Sequence, residues 1–186
     1  MMIVGTPGSG KSGTTVLLVL AALKYRAQMP EKDRPLVPVP VMFTMHGWDP
    51  NTQRAEDWLA SRLQQTYPLF AGRGGAEDGT QLIRAGRIAA ILDGLDEIAD
   101  EVQPVALRAP SQQAVFRVVV LARSTELAAA AKQGLLEGAV ALELQDIDPS
   151  AAADYLAHVQ LDPAPHGWRE LTRRLRQAPD SPSPRR

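Results

Sequence analysis

The amino-acid sequence predicts an α/β fold, a parallel sheet covered by helices on both faces. Three observations carry this reading. Apolar runs at Arg87 to Leu92, Phe116 to Leu121 and Ala139 to Leu144 are nearly continuous, as suits strands buried on both sides. Helix-compatible stretches lie between and after them. The chain opens with a short apolar run, a glycine-rich loop and a helical segment, in that order. Its 186 residues suit one domain plus a short extra segment.

Met1-Met2-Ile3-Val4 forms the first strand, and Gly5-Thr6-Pro7-Gly8-Ser9-Gly10 interrupts it before a helix from Lys11 to about Gln28. Within that helix Val16 to Leu23 is an apolar run like a signal-peptide core, but it falls far short of the ~20 residues that cross a bilayer. A buried helix is the better expectation. Pro30 to Pro35 is a polar connection, after which Leu36 to Met45 alternates around Val37, Val39, Val41 and Phe43 as a strand does. Pro38 and Pro40 cannot donate to a ladder, so that half lies at a sheet edge or ahead of the strand, which starts near Val39.

Trp58, Leu59, Leu63 and Tyr67 have helical spacing, which predicts an amphipathic helix over 53–66. Ala71 to Thr80 holds four glycines and reads as a loop, with a short helix from Gln81 to Ala85. Further helices are expected at Thr125 to Lys132 and Ser150 to Val159. Composition changes at Pro163 to Trp168, so residues 1–160 form the predicted domain and 161–186 a C-terminal helix and a disordered tail rich in Pro and Arg. Six arginines against two acids between Arg169 and Arg186 suit a solvated helix and tail, with anion binding as the alternative.

Composition excludes several function classes. Lys and Arg number 20 against 21 Asp and Glu, a net charge of −1, so no overall field draws the chain to nucleic acid or an anionic membrane. With no cysteine there is no disulfide framework, thiolate metal site or cysteine nucleophile, which is compatible with a cytoplasmic location. His46, His158 and His166 lack metal-ligand spacing, so no zinc site is expected.

Gly5-Thr6-Pro7-Gly8-Ser9-Gly10-Lys11-Ser12 fits G-x-x-x-x-G-K-[ST] between a strand and a helix. Glycines let successive N–H groups converge on a phosphate at the positive end of the helix, Lys11 adds a mobile charge, and the Ser12 hydroxyl suits Mg²⁺. An unrelated glycine turn is the alternative. In Leu92-Asp93-Gly94-Leu95-Asp96-Glu97 an apolar strand ends in Asp93, placed to hold Mg²⁺ at a strand's carboxyl end. Asp96 or Glu97 could orient or deprotonate an attacking water; otherwise both simply charge a helix start. Arg123 ends another strand, where it could sense a γ-phosphate or, alternatively, pair with Glu126. His46, Trp48 and Asp49 follow the second strand in the same way.

Together, Val4 to Ser12, Leu92 to Glu97 and Val119-Val120-Leu121-Ala122-Arg123-Ser124 resemble the NACHT NTPases of the STAND class, relatives of the AAA+ ATPases. The resemblance covers roughly residues 2–160; the most specific part is Asp-Gly-hydrophobic-Asp-Glu, with a small residue straight after the metal acid. It implies a P-loop NTPase three-layer sandwich with a five-stranded parallel sheet, in which the Arg123 strand separates the Asp93 strand from the glycine-loop strand. It further implies ATP or ADP with Mg²⁺ as ligands, Asp93 serving the metal, Asp96 or Glu97 hydrolysis, and Arg123 the γ-phosphate. Family members switch from ADP to ATP when a sensor is engaged, and self-associate to drive an effector. They also carry a helical lid and a winged-helix domain, so the chain is expected to be a piece of a longer protein. Two other functions stay open. One is a non-catalytic interaction module built on a truncated or degenerate NTPase fold; the other is a P-loop kinase for a small acceptor, for which the 71–80 segment supplies only Arg73.

Overall fold

A computed structural model describes residues 1–113, 116–125, 140–159 and 165–177. It divides into two compact units, Met1–Leu144 and Gln145–Arg186. In the first, β1 (Met2–Gly5), α1 (Lys11–Gln28), β2 (Val39–Thr44), α2 (Ala55–Thr66), α3 (Gly75–Arg84), β3 (Ile88–Asp93), α4 (Gln103–Gln113), β4 (Arg117–Arg123) and β5 (Ala141–Glu143) follow one another. The described strands make one five-stranded sheet in the order β2-β3-β4-β1-β5, parallel throughout. The fold class read from the sequence is therefore the one found. β4 stands between β3 and β1, the order the resemblance implies.

Strand alternation sorts the sheet into two faces. Val4, Phe43, Ala90, Leu92, Val120 and Ala122 share a core with Trp58, Leu59 and Leu63 of α2, Ile83 of α3 and Leu107 of α4. Ile3, Ile91 and Leu121 point the other way and are just as buried. On that side runs α1, which contacts β1 and β2.

β2 begins at Val39 and lies at the sheet edge, as its prolines require. Val39 and Met45 donate to Arg87 and Asp93 across the ladder, so odd-numbered residues face β3 and Pro40 turns its missing donor to the open side. The tryptophans following β2 are structural: Trp48 stacks on Trp58 at 5.1 Å and gives its indole N–H to the Gln53 carbonyl at 3.1 Å.

Three expectations need correction. α1 spans the expected residues but is not buried: Leu17 is 67% exposed and Leu20 57%. Its sheet-facing stripe is Thr15, Val19, Ala22 and Arg26, at helical spacing, and the leucines occupy the other sides. The sequence predicts burial of β5 on both faces, yet Ala141, Leu142 and Glu143 are exposed, because among the described strands this one closes the sheet edge and pairs only with β1. The 71–80 stretch is mostly helix, since α3 starts at Gly75. One of its glycines is there for close packing, since a Cβ on Gly75 would run into the Phe70 carbonyl, while Gly74 supplies the left-handed turn (φ 93°) ahead of the helix.

The second unit contains α5 (Pro149–Val159) and α6 (Trp168–Gln177), which pack on each other. Arg176 joins Asp154 at 2.9 Å, and Glu170 accepts from Arg173 and Arg174 on its own helix. The helix expected over 125–132 lies, apart from Thr125, outside the described residues, as does the tail from 178 onward. Among the described residues no helix is long and apolar enough to cross a membrane.

Candidate functional site

The site forms where β1, β3 and β4 end. Register fixes who meets whom: Gly5 of β1 lies beside Arg123 of β4, and Leu92 of β3 beside Val120 of β4. Residues separated by tens of positions in the chain, Gly5 to Ser12, Asp93 to Glu97 and Arg123, thereby meet at one edge of the sheet.

Gly5 to Gly10 leaves β1 as a curled loop, and α1 begins at Lys11. Gly8 (φ 80°) and Gly10 (φ 83°) adopt the left-handed conformation that L side chains disfavour. A Cβ at either would meet nothing within 4 Å, so glycine is required there for backbone shape, not for room inside the protein. Gly5 differs: a Cβ there would overlap the Ser9 hydroxyl, which tucks against β1 and is buried without a partner among the described residues.

Lys11 folds its ammonium back onto the loop, donating to the Gly5 carbonyl at 2.9 Å and the Thr6 carbonyl at 3.0 Å. Those two bonds hold a positive charge inside the loop's curve. Buried Thr15 caps this turn from below by donating to the Lys11 carbonyl at 2.8 Å. Ser12 donates to Asp93 Oδ2 at 3.0 Å, while Asp93 Oδ1 accepts from the Gly94 N–H at 2.9 Å. One carboxylate is thus oriented by its own turn and faces the hydroxyl at the start of α1.

Gly94 (φ 81°) starts the 3-10 turn Leu95–Glu97, with Leu95 fully buried. The turn sends its two acids different ways. Asp96 forms an ion pair with Arg123. Glu97 folds over Gly94, where a Cβ would stand 3.0 Å from its carboxyl carbon, and comes within 3.9 Å of His46 Nδ1. Glu126, the alternative partner for Arg123, lies outside the described residues.

The structure thus assembles Gly5, Thr6, Pro7, Gly8, Ser9, Gly10, Lys11, Ser12, Asp93, Asp96, Glu97 and Arg123 on one edge. His46 joins them through Glu97. Trp48 does not, being buried in the core, and Asp49 closes a local turn by accepting from the Asn51 N–H at 2.9 Å. Sequence reasoning missed Thr15, whose only signal was a hydroxyl four residues after the lysine. It also missed the Asp96–Arg123 pair, which no local spacing encodes.

The donor set suits a phosphate ester with Mg²⁺. Open backbone N–H groups, a helix N-terminus and a lysine match the phosphate chain. A hydroxyl and a carboxylate 3.0 Å apart match a small, oxygen-seeking cation that keeps several waters. Compared with known proteins, the chain matches no family model and no curated protein.

Proposed function

We propose that the Met1–Leu144 unit is the nucleotide core of a NACHT-type STAND ATPase, binding ATP or ADP with Mg²⁺ and hydrolysing ATP slowly as a signalling switch. The observation that carries this reading is the Ser12–Asp93 hydrogen bond, which brings a strand-end carboxylate to the helix start behind an open glycine loop. That pairing, 81 residues apart in sequence, is what a shared metal position requires and what a chance glycine turn does not supply.

When bound, Mg²⁺ neutralises phosphate charge, and the chain supplies the rest. The Gly5–Gly10 loop and Lys11 hold the phosphates, with Lys11 leaving the Gly5 and Thr6 carbonyls. Ser12 and Asp93 would hold the cation. Glu97, which has no arginine partner among the described residues and lies beside His46, orients the attacking water and takes its proton, while Asp96 holds Arg123 until nucleotide arrives. Arg123 exchanges from Asp96 to the γ-phosphate, its planar fork suiting either anion. Sensor and effector partners and self-association belong to the same proposal.

Phosphate release from ATP tests the assignment of roles. Glu97→Gln is expected to bind ATP like the wild type and lose hydrolysis by a factor of about 10² or more, the usual worth of a general base. Asp96→Asn is expected to keep a measurable rate. Wild-type hydrolysis by both variants would refute the proposed base. The second reading, a non-catalytic interaction module, is favoured by the exposed leucines of α1, and it requires a folded chain that binds no nucleotide.

A further inference from the structure

At the opposite end of β2 and β3 from Asp93, the sheet edge opens into an apolar groove of about 630 Å³. Buried Val41, Leu63 and Ile88 line it together with Val39, Phe70 and the more exposed Leu23. Leu69 and Tyr67 beside it are 86% and 41% exposed, an arrangement that leaves apolar surface in water. The volume lies in the range of small-molecule sites.

Two arginines line this groove, Arg26 from α1 and Arg87 from the start of β3. Arg26 Nε donates to the Val37 carbonyl at 3.1 Å, and Arg87 donates to the Pro35 carbonyl. Both guanidiniums are therefore fixed to the same rim. Neither has a carboxylate partner among the described residues, whereas nearby Arg84 is paired with Glu56 at 2.9 Å. An apolar groove with two anchored cations and no carboxylate in its lining is complementary to an apolar body bearing one negative group.

The open edge of β2 narrows the choice of occupant. A peptide adding as a strand would need a main-chain donor where Pro40 has none, so strand addition is disfavoured. A ligand that relies on apolar burial and a carboxylate meets no such obstacle. We propose that this groove binds a small amphipathic carboxylate of the fatty-acid class, its chain along Val39, Leu63 and Ile88 and its carboxylate on Arg26 and Arg87.

The test is calorimetric titration of the full chain with dodecanoate and, separately, dodecanol, both below micelle-forming concentrations. Dodecanoate is expected to bind saturably, one per chain. Arg26→Gln keeps a donor at the place of Nε but removes the charge, and Arg87→Gln removes both the charge and the Nη1 donor; each is expected to weaken dodecanoate at least about tenfold, and Arg26→Gln to change dodecanol less than twofold. Leu23→Glu, at a half-exposed helix position that tolerates the change, puts a carboxylate in the groove and is expected to abolish binding, with circular dichroism confirming its fold. Lys11→Ala is expected to bind dodecanoate like the wild type, so the outcome stands apart from the nucleotide proposal. The inference is overturned if the folded wild type shows no saturable binding. It is equally overturned if dodecanol binds as tightly and the arginine variants change nothing, or if Leu23→Glu binds as before.

Discussion

Gly5→Ala tests the loop architecture because the structure says what the added methyl meets. The new Cβ would overlap the Ser9 hydroxyl and stand 3.2 Å from the Ser9 Cβ, while its next neighbour, Leu144 Cβ, lies at an ordinary 3.5 Å. The φ of Gly5 is not positive, so conformational strain adds nothing. The Ser9 hydroxyl can rotate away, but the Ser9 Cβ cannot, and β1 is held on both sides by β4 and β5, so the loop is the part that yields to the 3.2 Å approach. Overpacking of this kind costs ~1–3 kcal/mol. Taken from the loop, that is about a 5- to 150-fold loss of ATP affinity; taken from the fold, it is a drop of about 2–12 °C in Tm. Titration with ATP and thermal melting together divide the cost between the two. Ser9→Gly removes both close contacts, so Gly5→Ala/Ser9→Gly is expected to recover most of what Gly5→Ala loses, beyond additivity. Wild-type affinity and Tm in Gly5→Ala, or a double variant no better than the additive sum, would refute the packing argument.

Gly75→Ala drives a Cβ into the Phe70 backbone carbonyl, which has no side-chain freedom to retreat, so a Tm loss of about 4 °C or more is expected, with circular dichroism as the check. Arg123→Ala frees Asp96 and removes the proposed γ-phosphate contact, so ATP affinity is expected to fall while ADP affinity stays within about twofold; equal losses for both nucleotides would remove Arg123 from γ-phosphate sensing. In the second unit, hydrogen bonds from Arg173 and then Arg174 hold the Glu170 carboxyl down at about 2, against an ordinary 4.5. A lowered value stabilises the folded form above the ordinary carboxylate range, and this contribution disappears as pH falls from about 4.5 to about 2. Carboxyl-carbon NMR is expected to show that midpoint, rising toward 4.5 in Arg173→Gln, and an unshifted Glu170 in the wild type would contradict the pairing.

Legibility in the sequence followed the range of the forces involved. The start of α1 at Lys11 and of β2 at Val39 were readable because a glycine loop and two prolines constrain the local backbone directly. The curl at Gly8 and Gly10 and the end of β3 at Asp93 were readable from the local sequence too, through glycines and through an apolar run that stops at a carboxylate. The burial of α1 was not, because its leucines surround the helix and hydropathy does not say which stripe meets the sheet. α3 was hidden because glycine weakens a helix locally, while the approach of the Phe70 carbonyl to the start of α3, which demands glycine at position 75, is a tertiary fact. The different directions taken by Asp96 and Glu97 rest on a partner 27 residues away and on strand order, neither of which is written in local spacing.

Lys11 and its loop are proposed to hold a nucleotide's phosphates. Calorimetric titration of the full chain with ADP and ATP, with and without Mg²⁺, beside Lys11→Ala tests it most directly. The expected result is micromolar binding by the wild type, strengthened by Mg²⁺ for ATP and lost or severely weakened in Lys11→Ala. Binding of neither nucleotide by the folded wild type, or unchanged affinity in Lys11→Ala, would contradict it.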